Sequence, residues 1–338
     1  MKVLVYFQPS PKHDNFEGAR MRKTIKGALE VIGQKYTSNL YDEYDVAHFM
    51  SPEDESKLAV PLERKVPIIV SALFGEDDPA TRFLNHKNKG GKLIVTLKPK
   101  ALRLLNKASL VLVPSESAKE LLIENGVMSP IDIIVPGVNL ARFNFSREDE
   151  KELFYRYFRE DKNKKIVLAM GEYTNNMDGI SSLINAAKKR EDVEFYYIGC
   201  ETFAANYGNC KRVIRSAPKN VHFKTILPDD IYRSMLLNAD VFMLPGYSLS
   251  GIISVQEAMA ANCQLIVRDS AVYSELLVNE KTAYIADNSE TLTSLCLDYL
   301  DSKIKPTTEE AYNKISSYNL ENFGHKLCEL YNSLVTNK

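Results

Sequence analysis

Ala239-Asp240-Val241-Phe242-Met243-Leu244-Pro245, running on through Gly246 to Glu257-Ala258-Met259-Ala260 and Val267-Arg268-Asp269, decides the fold. It reads as strand, loop, helix and second strand. Val241-Phe242-Met243-Leu244 is short and wholly apolar, as a strand buried on both faces of a parallel sheet must be. Pro245 and Gly246 stop it, and a Ser- and Gly-containing loop follows. Residues 253–261 then take helical spacing, with Val255, Ala258 and Met259 on one face and Glu257 near the helix start. A loop that leaves the carboxyl end of a parallel strand and enters a helix N-terminus is where α/β folds bind phosphorylated ligands.

The same alternation extends in both directions. Towards the N-terminus, residues 2–7, 45–49, 67–71, 108–113 and 131–135 read as strands, and residues 19–33 and 117–125 as helices, the latter stopped by Gly126. Residues 93–97 are a further strand candidate, although their Lys-rich flanks also allow helix and loop. A charged helical segment, 147–160, separates this half from a second series. That series has strands at 165–170, 194–199, 220–224, 239–244, 264–267 and 282–285, a helix at 179–189, and a mostly helical end at 309–332. Strands alternating with helices imply parallel, doubly wound sheets. The expected organisation is α/β, with two Rossmann-like domains facing a central cleft. The first spans 1–145, the second 146–310, and a helical segment at 311–338 packs back across them.

Bulk properties narrow the class. The chain has 338 residues, 45% hydrophobic and 26% charged, with a net charge of −1. That is two domains of an ordinary globular protein, and a near-neutral balance argues against bulk nucleic-acid binding. No apolar run reaches membrane-span length, and the opening Met1-Lys2-Val3-Leu4-Val5-Tyr6-Phe7 reads as a strand rather than a signal peptide. Five cysteines (Cys200, Cys210, Cys263, Cys296, Cys328) without CxxC spacing read as reduced thiols in a cytoplasmic protein, forming neither a disulfide framework nor a zinc site.

Motifs in the second half occur in a known order. Asn220-Val221-His222-Phe223, then Asp229 and Asp230, then the Ala239–Pro245 run and Glu257-Ala258-Met259-Ala260 resemble the donor domain of glycosyltransferase family 4. In the first half, Val135-Pro136-Gly137-Val138-Asn139-Leu140-Ala141-Arg142-Phe143 resembles that family's crossover, and Val113-Pro114-Ser115-Glu116-Ser117 the strand end before it. Tyr36-Thr37-Ser38-Asn39, Tyr44-Asp45-Val46-Ala47-His48 and Leu265-Ile266-Val267-Arg268-Asp269 are similar to the bacterial diacylglycerol glycosyltransferases. The resemblance implies a GT-B fold and retaining transfer of a hexose from a nucleotide sugar, a UDP-sugar, to a membrane glycolipid, without a metal or other cofactor. It places Glu257 on the donor ribose. The expected donor-site residues are Glu257, Ser250, Gly251 and Ile252, with Glu172 beside them and Gly18 and Arg20 closing the site from the first domain.

The pattern is broken in three places. The resemblance implies an Arg and a Lys after the first strand of the second domain, yet Gly171-Glu172-Tyr173-Thr174-Asn175-Asn176-Met177-Asp178-Gly179 holds no cation. It implies a second Glu eight residues before Glu257, where Leu249 stands. It implies a first-domain His, where Ala72-Leu73-Phe74-Gly75-Glu76-Asp77-Asp78 has none. Removing one preorganised electrostatic contact can cost about a hundredfold in rate. A second reading is therefore a non-catalytic paralogue, a binding or stabilising subunit that forms a homo- or hetero-oligomer with an active glycosyltransferase. An epimerase on the same body lacks the general acids and bases it needs.

Several residues carry two readings. Arg20 replaces a missing cation or is a solvated helix residue, Gly251 and Ile252 give amides to a diphosphate or form a plain turn, and Glu257 binds ribose or favours a helix start. His13, His86, His222 and His325 read as surface or loop residues, His48 as a strand end, and Asp77 and Asp78 as a solvated loop. From Lys87 to Lys107, seven basic residues (Lys87, Lys89, Lys92, Lys98, Lys100, Arg103, Lys107) interleave with Leu and Ile and no acid. That stretch fits docking on an anionic membrane surface, the inner face of the cell membrane.

Overall fold

The computed structural model describes residues 1–7, 17–50, 55–72, 83–87, 93–143, 148–170, 177–198, 214–224, 227–245, 251–269 and 273–336. In chain order the first half contributes β1 (Val3–Tyr6), β2 (Tyr36–Thr37), β3 (Val46–Met50), β4 (Ile68–Ser71), β5 (Phe83–Lys87), β6 (Leu93–Leu97), β7 (Leu110–Val113) and β8 (Ile131–Ile133). Six of these form one parallel sheet, ordered β2-β1-β3-β4-β7-β8. The second half contributes β9 (Ile166–Met170), β10 (Glu194–Ile198), β11 (Val221–Lys224), β12 (Val241–Leu244), β13 (Gln264–Arg268) and β14 (Tyr284–Ala286). They form a second parallel sheet, ordered β11-β10-β9-β12-β13-β14.

The strands sit where their apolar runs put them, because a strand covered on both faces has no polar face to show. Val3, Leu4, Val5, Ile69, Val70, Val111, Val241, Phe242 and Met243 are fully enclosed. The Glu116–Glu124 helix shows how its ends are set. Ser115 accepts the Ala118 amide at 3.1 Å as N-cap, and Gly126 beyond it turns the chain at φ +87°.

The C-terminal end resolves into two helices, Thr308–Ser316 and Leu320–Thr336. The break lets Asn319 pair with Val138 of the crossover, where the Val138 amide donates to Tyr318 O at 2.8 Å. The last helix lies against the Glu17–Val31 helix and β3. Contact is close: a Cβ on Gly324 would stand 2.6 Å from Ala28 O, and one on Gly137 would stand 2.8 Å from Asn319 O.

The structure corrects several local expectations. β6 is a strand, but it pairs antiparallel with β5, Phe83 opposite Leu97, in a hairpin outside both sheets. The helices Glu55–Glu63, Asp229–Asn238 and Ser289–Leu300 were not anticipated. His48 is not at a strand end. It sits inside β3, fully buried, its Nδ1 2.8 Å from the Tyr331 hydroxyl and its Nε2 2.8 Å from Ser71 Oγ. Burial pushes its pKa down to about 3. His222 is neither loop nor free surface, since it lies in β11 with its ring stacked on Tyr196. His325 is exposed. His13, Asp77 and Asp78, and the side chain of His86, lie outside the described residues. Cys263, Cys296 and Cys328 are free thiols. Among the described residues no helix is long and apolar enough to cross a membrane.

Candidate functional site

In an open α/β sheet the ligand crevice lies beyond the carboxyl ends of the strands where the order reverses. In the second sheet that point falls between β9 and β12, in the first between β1 and β3. The helix following β12 and the helix following β1 meet across the cleft, and this is where the candidate residues gather.

Gly251 is the N-cap of the Ile252–Ala260 helix, at φ +114°, with the Tyr273 hydroxyl 3.2 Å from where a Cβ would be. Only glycine takes that conformation without strain. All nine helix residues are buried, Ser254, Gln256 and Glu257 included, so this helix is covered all round rather than on a single face. Ile252 is 2% exposed. Glu257 is the sixth residue of the helix, well past the first turn. The helix-start reading of Glu257 therefore fails, because the macrodipole acts on charges in the first turn.

Glu257 is the centre of a charged junction. Its Oε2 pairs with Nη2 of Arg20, and its Oε1 lies 3.8 Å from Nη1 of Arg142. Arg20 donates through Nη1 to Ser254 Oγ at 2.6 Å, and its guanidinium stands 5.4 Å from the Tyr232 ring centroid. Ser254 and Glu257, three residues apart, share a helix face, so one planar guanidinium spans both. Arg142 sits in the 3-10 turn Leu140–Phe143, with Nη2 2.5 Å from Asp229 Oδ1, close enough for an ion pair but not aligned as a hydrogen bond. The Arg20 and Glu257 side chains are 16% and 9% exposed, which overturns the reading of Arg20 as a solvated helix residue.

Neighbouring contacts brace this junction. Gln256 donates to the Pro136 carbonyl of the crossover. Arg268, 1% exposed at the end of β13, donates from Nε to Pro245 O at 3.3 Å and from Nη2 to Ser289 Oγ. It therefore holds the point where the chain leaves β12. Deeper in the cleft an apolar cavity of about 20 Å³, lined by Ser71, Pro136, Ile252 and Phe323 among others, leaves room for no more than a water.

Of the expected site residues, the structure brings together Arg20 and Glu257, with Gly251 and Ile252 at the start of the same helix as Glu257. Gly18 lies in the first turn of the Glu17–Val31 helix, two residues before Arg20. Ser250 and Glu172, with Leu249 and the cation-less loop at 171–176, lie outside the described residues. Arg142, Ser254, Gln256 and Arg268 were not singled out from the sequence as site residues. Arg142 and Arg268 stood inside quoted motifs, but nothing in the spacing says that either side chain turns inward.

The basic stretch is less bare than its composition. Arg103 and Lys107 reach Glu55 at 3.2 and 2.9 Å, while Ala101, Leu104 and Leu105 are buried. Lys100 is exposed, and so are Ile123 and Met128 nearby, at 54% and 83%.

Comparison with known proteins agrees with this architecture. A family model described as glycosyl transferases group 1 matches residues 151–329. The processive diacylglycerol alpha-glucosyltransferase of Acholeplasma laidlawii is 24% identical over 337 residues, covering 99% of both chains. The alpha-galactosylglucosyldiacylglycerol synthase of Streptococcus pneumoniae is 25% identical over 164 residues, 47% of this chain and 43% of that one. Among solved structures, HepE of Anabaena in complex with UDP and glucose superposes with a TM-score of 0.71 at 14% identity, covering 98% of this chain and 100% of its own. A glycosyltransferase from Rickettsia africae gives 0.68 at 16% identity, with 100% and 99% covered.

Proposed function

We propose, given that this chain belongs to the glycosyl transferases group 1 family and has its two-sheet GT-B fold, that it transfers a hexose from a UDP-sugar to a membrane glycolipid with retention at the anomeric carbon. The single observation that carries the reading is the convergence of Arg20 and Arg142 on Glu257 at the mouth of both sheets. The loop after β9 brings no cation to the donor phosphates. Two guanidiniums from the opposite wall and the crossover supply that charge instead.

On this reading Arg20 exchanges partners. In the free protein its fork rests on Ser254 and Glu257. When the donor enters, the fork turns to the diphosphate, and the released Glu257 carboxylate accepts from the ribose hydroxyls. Arg142 stays beside both. Transfer breaks the anomeric C–O bond to the phosphate and forms one to the acceptor oxygen, whose proton leaves on a phosphate oxygen. Cations fixed where that charge develops act most strongly in a water-poor cleft. Gly18 and the amides at Gly251 and Ile252 line the approach. The names of the two lipid-directed relatives support the acceptor class, and the UDP complex of HepE supports the donor class. Docking on an anionic membrane through residues 87–107, with Lys100 as cation and Ile123 and Met128 as apolar anchors, would present the cleft to such an acceptor.

The second reading, a donor-binding but non-catalytic subunit of another transferase, is favoured by Leu249 at the position of the first Glu. Turnover separates the two. Incubation with UDP- and GDP-sugars, with and without anionic liposomes carrying a monoglycosyl diacylglycerol, should give product that is lost on Glu257→Ala. Folded protein that turns over none of these donors would overturn the transferase reading.

A further inference from the structure

At the other end of the second sheet lies a cluster that sugar transfer does not use. Glu160 follows the Glu148–Phe158 helix, Glu194 opens β10, and His222 is the second residue of β11. The donor crevice lies beyond the carboxyl ends of the strands, so these residues are remote from the chemistry. His222 Nε2 stands 2.8 Å from Glu194 Oε2 and 3.8 Å from Glu160 Oε1, and one ligand atom from each residue lies within 4.8 Å of the others.

We propose that Glu160, Glu194 and His222 bind one first-row divalent transition-metal ion, with Zn²⁺ the best fit. An ion about 2.0–2.2 Å from each donor atom needs those atoms roughly 3.3–3.6 Å apart, and the observed spacings bracket that value. The donors are already aimed. His222 stacks on Tyr196 with ring centroids 4.7 Å apart, Tyr196 donates its hydroxyl to Glu160, and Glu194 is 5% exposed. Such outer contacts orient metal ligands. One imidazole and two carboxylates suit Zn²⁺ over Mg²⁺, which prefers oxygen and water.

Without the ion the charges are balanced by a stand-in. Lys164 places Nζ on Glu194 Oε1, and because a carboxylate only accepts, Nε2 of His222 carries a proton towards Oε2. The Lys164 side chain is 40% exposed and free to swing into water. Binding therefore displaces Lys164 and moves the His222 proton from Nε2 to Nδ1, which frees Nε2 for the ion. The bound ion ties the end of the Glu148–Phe158 helix to β10 and β11, stapling the second domain far from the reacting atoms.

Chelator-stripped full-length protein should bind one Zn²⁺ per chain by calorimetry, and Co²⁺ should give a visible spectrum of oxygen and nitrogen ligation. His222→Gln should weaken binding at least about tenfold. Lys164→Met, which removes the competing cation, should tighten it severalfold. Absence of saturable binding would overturn the proposal, as would a cobalt–thiolate charge-transfer band. So would affinities unchanged in both variants, with circular dichroism showing each folded.

Discussion

Glu257→Gln should make the protein bind inorganic pyrophosphate more tightly while UDP fails to share the gain. In the free protein one guanidinium nitrogen of Arg20 serves Ser254 and the other Glu257, in a place where the two side chains are 16% and 9% exposed. A diphosphate that recruits Arg20 must first take it from that carboxylate. A hydrogen bond between charged groups is worth about 1.5–3 kcal/mol net. The amide that replaces the carboxylate keeps the shape and about half of that, a saving of about 0.8–1.5 kcal/mol. At 1.4 kcal/mol per decade, pyrophosphate should bind roughly three- to twelvefold more tightly. UDP also carries a ribose, whose hydroxyls lose their charged acceptor, so its affinity should stay level or fall. Calorimetric titration of both ligands into wild type and variant at one ionic strength tests this, because exposed charge interactions are screened by salt. Pyrophosphate binding no tighter in the folded variant than in wild type would refute the partner exchange.

Three further outcomes follow from the same geometry. His48 is buried and neutral with its pKa near 3, against 6.5 in the unfolded chain, so the unfolded state binds the extra proton. The stability this gives is fully present above about pH 6.5 and is lost as the pH falls towards 3, by a few kcal/mol in all. Urea midpoints measured from pH 8 to pH 4 should fall in that window, and His48→Asn should flatten the slope; an unchanged slope in the variant would assign it to other groups. Gly324→Ala puts a Cβ 2.6 Å from Ala28 O, a backbone atom that cannot swing aside, and overpacking of this kind costs about 1–3 kcal/mol. A melting temperature within a degree of wild type would show that the last helix is not seated as described. Met128→Glu should reduce sedimentation with anionic vesicles, as should added salt, while leaving the fold intact; unaffected sedimentation would exclude this face.

The parallel strands were legible because burial on both faces leaves a nearly pure apolar run, as in Val241-Phe242-Met243-Leu244 and Ile68-Ile69-Val70. The end of the Glu116–Glu124 helix was legible from Gly126, whereas the local pattern puts its Ser115 cap in a loop and starts the helix at residue 117. The Glu55–Glu63 helix was not legible, since Pro61 inside it breaks the local signal. His48 looked like a strand end because a polar residue in an apolar run usually marks one. Here Tyr331, 283 positions later, satisfies it from a helix that only the tertiary fold brings near. The charged junction was half legible. Glu257 follows from its motif and Arg20 is a candidate from its place after the first strand, whereas Arg142 has meaning only once three separate elements meet, and no local pattern encodes that meeting.

Where the cations sit changes how donor recognition has to work. A site whose phosphate ligands and ribose ligand share one domain can hold a nucleotide with the cleft open. In this chain Arg20 belongs to the helix after β1, Arg142 to the crossover, and Glu257 to the helix after β12. Opening the cleft would separate Glu257 from the guanidinium of Arg20, a contact between charged groups worth about 1.5–3 kcal/mol. The two walls are therefore bridged in the free protein by the same two groups that the donor would separate. On either reading, affinity for UDP would measure closure and partner exchange together, because a non-catalytic subunit would use the same junction. They part only at the bond-breaking step. There the transferase reading requires that Arg20 from the far wall and Arg142 from the crossover stabilise the departing diphosphate as well as cations after β9 would.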